Sequence, residues 1–190
     1  IRPDSVINLA VFRKLEACED DPDTAFAVNS HAVRNLALIC DNLQARLVHL
    51  STDYVFGGDQ HTPYREDAPL NPLNVYGVSK ASGEYFVRNL CRNHLVIRTS
   101  GLFGSKGTNF VETMLRLGKD RGWVSVVTDQ VLSPTATQDL IPTMRELVDR
   151  QAQGVYHITN SGSCSWYEFA KAIFELSNSE VDVRPTTTEA

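Results

Sequence analysis

No apolar stretch in these 190 residues approaches the roughly 20 that a membrane-spanning helix needs. Basic residues are the minority, 18 Lys and Arg against 23 Asp and Glu, for a formal net charge of −5. No basic run occurs either, so nucleic acid is not an expected partner. Cysteine is sparse: Cys18, Cys40, Cys91 and Cys164 lie far apart with no C-x-x-C. That argues against a zinc ribbon, a dithiol redox motif or a disulfide framework, and suits a reducing cytoplasm. The five histidines, His31, His49, His61, His94 and His157, show no metal-ligand spacing, and no metal is expected. No apolar segment follows a basic start, so no secretory leader is expected in these residues. Internal repeats and low-complexity tracts are absent.

What is present is an alternation of short apolar runs and longer runs with helical spacing. Strands are expected at 5–11, 46–51, 95–99, 124–128 and 155–159. Helices are expected from Asp21-Pro22 to about Cys40, over 74–91 with Val75, Val78, Phe86 and Leu90 inward, from Phe110 to Gly118, over 139–150, and from Ser165 to about Leu176. Asp21 reads as an N-cap with Pro22 at the first helical position. Pro142 is expected in a first turn, and Ser165-Trp166-Tyr167-Glu168 reads as a capping box. The order implies an α/β fold with a doubly wound parallel sheet, which binds ligands outside the carboxyl ends of its strands. Residues 184–190 show no obvious closing element.

Three residues carry chemistry in that frame. Thr52 follows directly on the strand 46–51, at a carboxyl end. Tyr76 and Lys80 form Tyr-x-x-x-Lys at the start of the helix 74–91, and an i, i+4 pair lies on one helical face. A free tyrosine titrates near pH 10; a nearby ammonium is expected to lower that value, making the phenol a general acid or base. Taken alone, the pair also fits a solvated helix face. His49 and His157 fall within strands and read as packed residues. Glu19-Asp20-Asp21 precedes a helix start, where the dipole accounts for it. Cys164 has no histidine partner, and Trp166 and Tyr167 read as helix packing.

Gly101-Leu102-Phe103-Gly104-Ser105-Lys106-Gly107 matches Gly-x-x-Gly-x-x-Gly after a strand and before a helix, with Asp129 following a later strand. Two readings stay open here: a dinucleotide fingerprint, or a loop lining the substrate side, which is favoured because few residues follow Thr128.

Ser51-Thr52-Asp53-Tyr54-Val55-Phe56, Pro63-Tyr64-Arg65-Glu66-Asp67 and Pro72-Leu73-Asn74-Val75-Tyr76-Gly77-Val78-Ser79-Lys80 together resemble the dTDP-4-dehydrorhamnose reductases, members of the extended short-chain dehydrogenases/reductases. Arg98-Thr99-Ser100, Asn109-Phe110-Val111, Ser133-Pro134-Thr135 and Gly154-Val155-Tyr156-His157 extend the likeness over nearly the whole chain. The resemblance implies a Rossmann-like fold and NADPH- or NADH-dependent reduction of the 4-keto group of dTDP-4-dehydro-β-L-rhamnose to dTDP-L-rhamnose. Tyr76 would give the proton, Lys80 would hold the nicotinamide ribose, and Thr52 would hold the same carbonyl. Asp53 and Tyr54 would contact the sugar, and Ala10, Val11, Phe12 and Leu50 would line the cofactor. Where the family places an aromatic on the sugar, this chain has Gly101, expected to face an open cleft. Residues 1–104 then read as the remainder of the cofactor domain, and 105–190 as a mixed segment with the substrate-binding part.

The same comparison places the family's glycine turn roughly 50–60 residues before Ile1. A truncated chain with its first βαβ missing is therefore expected, with an open sheet edge beside Val6 to Val11. A homodimer is the assembly considered. Rival functions are a sugar-nucleotide epimerase or other reductase of the superfamily, a dehydratase, disfavoured because Asp53 is followed by Tyr54 rather than Glu, and a non-catalytic regulatory subunit on the same fold.

Overall fold

The computed structural model describes residues 2–60 and 62–189, so His61 lies outside the described residues. Contacts divide the chain into two compact units, Ile1–Thr99 with Met144–Ile158, and Ser100–Thr143 with Thr159–Ala190.

The first unit is built on a four-stranded parallel sheet: β1 (Ser5–Asn8), β2 (Arg46–Thr52), β3 (His94–Thr99) and β8 (Gly154–His157), in that spatial order. Ser5 pairs with Arg46, Leu47 with His94 and Leu95 with Gly154. β2 and β3 are buried along almost their whole length, as central parallel strands covered by helices should be. The expected α/β class with a parallel sheet is therefore what forms.

Helices α1 (Leu15–Asp20), α2 (Pro22–Phe26), a π-helical turn (Ala27–His31), α3 (Ala32–Leu43) and α4 (Val75–Leu90) complete the unit's first part. Val33, Ala37 and Cys40 of α3 and Val87 of α4 form one apolar cluster with Leu47 and Val96. Asp21 caps α2 by accepting the Thr24 N–H at 3.0 Å, with Pro22 at the first position, as expected. The single helix expected from there to Cys40 is broken by the π turn.

Two expectations need correction in this unit. The strand expected over 5–11 ends at Asn8, because the Asn8 side chain accepts the Ala10 N–H at 3.1 Å and turns the chain. The inward face of α4 keeps Leu90, half-buried against the apolar cluster, but not Val78. The buried residues are Gly77, Ser79, Lys80, Gly83, Glu84 and Val87, while Val78 is 40% exposed. Glycines and paired polar groups make that face, and a search for apolar periodicity rotates past them.

The second unit contains α5 (Phe110–Arg121), β5 (Trp123–Val127), α7 (Trp166–Leu176) and β10 (Asp182–Thr186), with two-residue pairs β4 (Leu102–Phe103) with β7 (Thr135–Ala136), and β6 (Val131–Leu132) with β9 (Cys164–Ser165). β5 pairs in parallel with β10, not with the four-stranded sheet. Met114, Val124, Val126, Ala170, Ile173 and Phe174 form its core. β10 is a closing element where none was expected; Pro185 and Arg184 masked it, yet an outer strand tolerates proline. The capping box at Ser165 forms, with Ser165 Oγ accepting the Glu168 N–H at 3.1 Å. α6 (Thr137–Asp149) starts earlier than expected, so Pro142 sits inside the helix rather than in its first turn.

Candidate active site

Thr52 is the last residue of β2, and a 3-10 turn (Asp53–Val55) follows at once. Thr52 Oγ1 donates to Asp53 Oδ1 at 3.0 Å and accepts the Tyr54 N–H at 3.3 Å. α4 begins opposite, capped by Asn74, whose Oδ1 accepts the Gly77 N–H at 2.8 Å. Glu19 of the acidic cluster accepts the Val75 N–H at 2.8 Å, so it serves the positive end of this helix. Gly77 sets the approach of the two elements. A Cβ there would collide with the Tyr54 carbonyl oxygen and lie 2.9 Å from Pro72 Cβ. With hydrogen in its place, Tyr76 comes close enough to Thr52 for that residue to act on its phenol, and meets the Tyr54 ring edge-on, centroids 5.7 Å apart.

Burial pushes the Tyr76 phenol up to about 12, with the Thr52 hydrogen bond pulling the other way and Asp53, Tyr54 and Cys18 adding to the rise. The expected lowering by Lys80 is not what the geometry gives. Lys80 Nζ donates to the Leu50 carbonyl at 2.6 Å and lies 3.4 Å from His49 Nε2. Burial, partly offset by Glu84, brings Lys80 itself down to about 8. The phenol therefore keeps its proton at neutral pH, as a proton donor must, and desolvation outweighs any counter-charge.

The segment after β1 is clamped from both sides. Phe12 N–H donates to Asn29 Oδ1 at 2.9 Å, and Asn29 Nδ2 donates to the Phe12 carbonyl at 2.8 Å and to Ser79 Oγ at 3.0 Å. Ser79 Oγ in turn donates to the Tyr76 carbonyl at 2.8 Å. Asn29 sits in the π turn, a distortion common at functional sites. Gly83 lets that turn approach, since a Cβ would strike the Asn29 carbonyl oxygen. Ala10 and Val11 remain exposed beyond this clamp, and Leu50 is half-buried. Sequence reasoning missed Asn8 and Asn29 and took His49 for packing. A paired amide distant in sequence leaves no pattern to read.

Arg98 and Glu84 form a buried ion pair under α4, Nη2 to Oε2 at 2.7 Å. Arg98 Nη1 also donates to the Glu66 carbonyl at 3.1 Å and its guanidinium lies 5.1 Å from the centre of the Phe56 ring. His157 packs edge-on to Phe56 and takes part in this cluster through its ring, 3.3 Å from Arg98 Nη1.

In the second unit, Gly101 is not at an open face. Its φ is +52°, and a Cβ would lie 2.5 Å from Leu132 Cδ1 and 3.2 Å from Pro134 Cα. Tryptophan there would be strained in both backbone and packing. Gly101 to Gly107 is also not a dinucleotide fingerprint: β5, which follows, leaves the parallel sheet, so the βαβ unit that motif requires is missing. Asn109 caps α5 instead, accepting the Glu112 N–H at 3.2 Å and donating to the Gly104 carbonyl at 2.9 Å. Burial raises the Cys164 thiol, with Glu168 adding to it, so it is not an activated nucleophile. Trp166 packs on Phe110, centroids 4.4 Å apart. Among the described residues no cluster could hold a metal, and no helix is long and apolar enough to cross a membrane.

Residues 1–190 match the family described as the RmlD substrate binding domain. The spore coat polysaccharide biosynthesis protein SpsK of Bacillus subtilis is 45% identical over 188 residues, 99% of this chain and 66% of that protein. The dTDP-4-dehydrorhamnose reductase of Escherichia coli is 37% identical over 180 residues, 92% of this chain and 60% of its own length. The crystal structure of dTDP-4-dehydrorhamnose reductase from Bacillus anthracis in complex with NADP superposes with a TM-score of 0.95 at 45% identity, covering 100% of this chain and 67% of that one. The chain thus spans about two thirds or less of the curated relatives it matches.

Proposed function

The chain belongs to the RmlD substrate binding domain family, and from that premise we propose that the protein reduces the 4-keto group of dTDP-4-dehydro-L-rhamnose to give dTDP-L-rhamnose. One observation carries the proposal. A protonated phenol, Tyr76, stands beside Thr52 at the carboxyl end of a parallel strand, one turn before a buried lysine on the same helix. The names of the relatives at 37 to 45% identity point the same way.

In this reading Tyr76 holds the proton destined for the carbonyl oxygen, and the Thr52 hydroxyl, turned from Asp53 Oδ1 to the substrate, fixes that oxygen by a second hydrogen bond. Two donors converging where negative charge develops stabilise an alkoxide more than a ketone. Asp53 and Tyr54 orient the sugar from the 3-10 turn. A nicotinamide cofactor, NADPH or NADH, supplies the hydride when bound; the NADP complex of the B. anthracis relative favours the first. The residues fit the nicotinamide and ribose end of such a group. Lys80 places its Nζ near the end of β2 beside the Leu50 carbonyl, and exposed Ala10 and Val11 with half-buried Phe12 form a segment hydrogen bonded to Asn8 and Asn29. Residues 1–104 carry the catalytic residues and the cofactor side, and the mixed segment 105–190 contributes a substrate-binding part together with the last strand of the parallel sheet, Gly154–His157. Four free thiols, three of them buried, suit a cytoplasmic setting.

The test is turnover. The full-length protein, given dTDP-4-dehydro-L-rhamnose and NADPH, is expected to consume NADPH in proportion to dTDP-L-rhamnose formed. Consumption no greater than in a control without the sugar would overturn the proposal.

A further inference from the structure

Arg98 and His157 are cross-strand partners near the carboxyl ends of β3 and β8. The hydrogens of the buried guanidinium can be counted. Arg98 Nε and Nη2 donate to the Glu84 carboxylate of α4 at 2.7 to 3.1 Å. Nη1 donates to the Glu66 carbonyl at 3.1 Å and meets His157 Nε2 at 3.3 Å. A guanidinium keeps its charge and only donates, so Nε2 is the bare, accepting nitrogen. A neutral ring then carries its one N–H on Nδ1. The backbone N–H of His157 donates in turn to Glu66 Oε1 at 3.2 Å.

These contacts hold the stretch 64–71, which lies in the chain between the turn Asp53–Val55 and the start of α4. Tyr64 stacks on Phe56 with centroids 4.4 Å apart and planes 11° apart, and Phe56 directly follows that turn. Asn71 N–H donates to the Val55 carbonyl at 3.0 Å. The segment is thus a strap with one end on the turn and its middle on Arg98 and His157.

We propose that Arg98 and a neutral His157 are positioning residues that latch the strap 64–71, and through it the turn Asp53–Val55, to the ends of β3 and β8, and that a proton on His157 Nε2 releases the latch. The added proton would set donor against donor beside a cation that Glu84 fixes in place. Burial, the largest influence, and Arg98 hold the His157 ring below its ordinary value of 6.5, against Glu66, Glu84 and the Tyr64 backbone, which favour the charged form. The other charges of the strap are engaged: Arg65 with Asp67 at 3.2 Å, and Asp59 with the Tyr64 hydroxyl at 2.6 Å. The latch is therefore complete above the ordinary histidine value and weakens as pH falls below it. For its effect on the sugar the inference rests on the proposed role of Asp53 and Tyr54.

The experiment reads the proton and the strap separately. Long-range ¹H–¹⁵N correlation spectra of the intact protein near neutral pH, with His157 assigned by signal loss in His157→Gln, are expected to show a protonated Nδ1 and a bare Nε2. The reverse would overturn the proposal. Hydrogen exchange, corrected for its intrinsic pH dependence, then follows the amides of Ala68, Asn71 and His157, which donate to the Arg65 and Val55 carbonyls and to Glu66. Below pH 6.5 their protection should fall by up to about tenfold per pH unit, the slope for one proton taken up on opening, before the β2 amides lose theirs. No fall, or a fall in step with β2, would overturn it. Glutamine offers Arg98 an oxygen and takes no proton, so His157→Gln should hold the strap through the same range; an undiminished acid loss in the folded variant would overturn the latch. If that variant does not fold, the wild-type tautomer and exchange decide. On the proposed reaction, KM for the dTDP-sugar should rise with the loss of protection more than kcat falls, and His157→Gln should flatten that rise. Exchange as expected in a protein that leaves NADPH untouched loses only the proposed reaction. A strap unmoved by acid in a protein that turns over loses only this inference.

Discussion

The two units bury different chemistry. The second has an ordinary apolar interior, in which Phe174, Ile173 and Met114 pack with Val124 and Val126, and the tilted rings of Phe110 and Trp166 pack beside them. Its buried polar residues are Ser100, Thr135 and Ser165 alone among those described; every other one, from Asn8 to Thr99, lies in the first unit. There, α4 meets the sheet through lysine, glutamate, serine and glycine. Burying such groups costs free energy unless each is paired. Most are: Asn29 with Phe12 and Ser79, Lys80 with Leu50, Glu84 with Arg98. A helix chosen only for stability would present leucines to the sheet. The polar face is the mark of a site, and glycines at 77 and 83 give its donors their close approach.

Breaking a pair in the first unit should therefore cost more than trimming a polar group in the second. Arg98→Leu leaves the Glu84 carboxylate, fully buried, without its partner. We expect a loss of about 3–5 kcal/mol, the cost typical of breaking one side of a buried ion pair, in urea denaturation. Arg98→Leu with Glu84→Leu should recover much of it. If the single variant is as stable as wild type, the contrast between the interiors fails.

Acid should also act first on the first unit. His49 and His157 are both held below the ordinary histidine value of 6.5, chiefly by burial. As pH falls through about 6.5 the unfolded chain binds protons that the folded one refuses, so stability is present above that pH and declines below it. Denaturation midpoints should drop between about pH 7.5 and 5.5, and His49→Gln should flatten the decline. An equal slope in the variant would remove His49 from the account.

The smallest effect is expected in the second unit. Ser165→Ala removes the capping-box hydroxyl of α7 and should cost about 1 kcal/mol, with the interior unaffected. A loss as large as that of Arg98→Leu would contradict the comparison.

How far the sequence led depended on what each element was made of. The Asp21 cap and the Ser165 capping box follow from local chemistry and were legible. So was the meeting of Thr52 with Tyr76, because a strand's carboxyl end and a helix start fix where those residues go. The face of α4 was not, because its buried residues carry no apolar period. Nor was the Asn8–His49–Lys80 chain, whose partners lie 41 and 31 residues apart and are chosen by tertiary contact. β10 was hidden by proline, and the packing of Gly101 against Leu132 has no local signal.

The central claim is that the polar interior of the first unit serves proton donation by Tyr76. Tyr76→Phe in the full-length protein removes one oxygen and leaves the ring that packs on Tyr54. Steady-state turnover of dTDP-4-dehydro-L-rhamnose with NADPH, paired with NADPH binding by calorimetry, tests it most directly. The account predicts a fall in kcat of at least about 100-fold with cofactor affinity unchanged; turnover near that of wild type would contradict it.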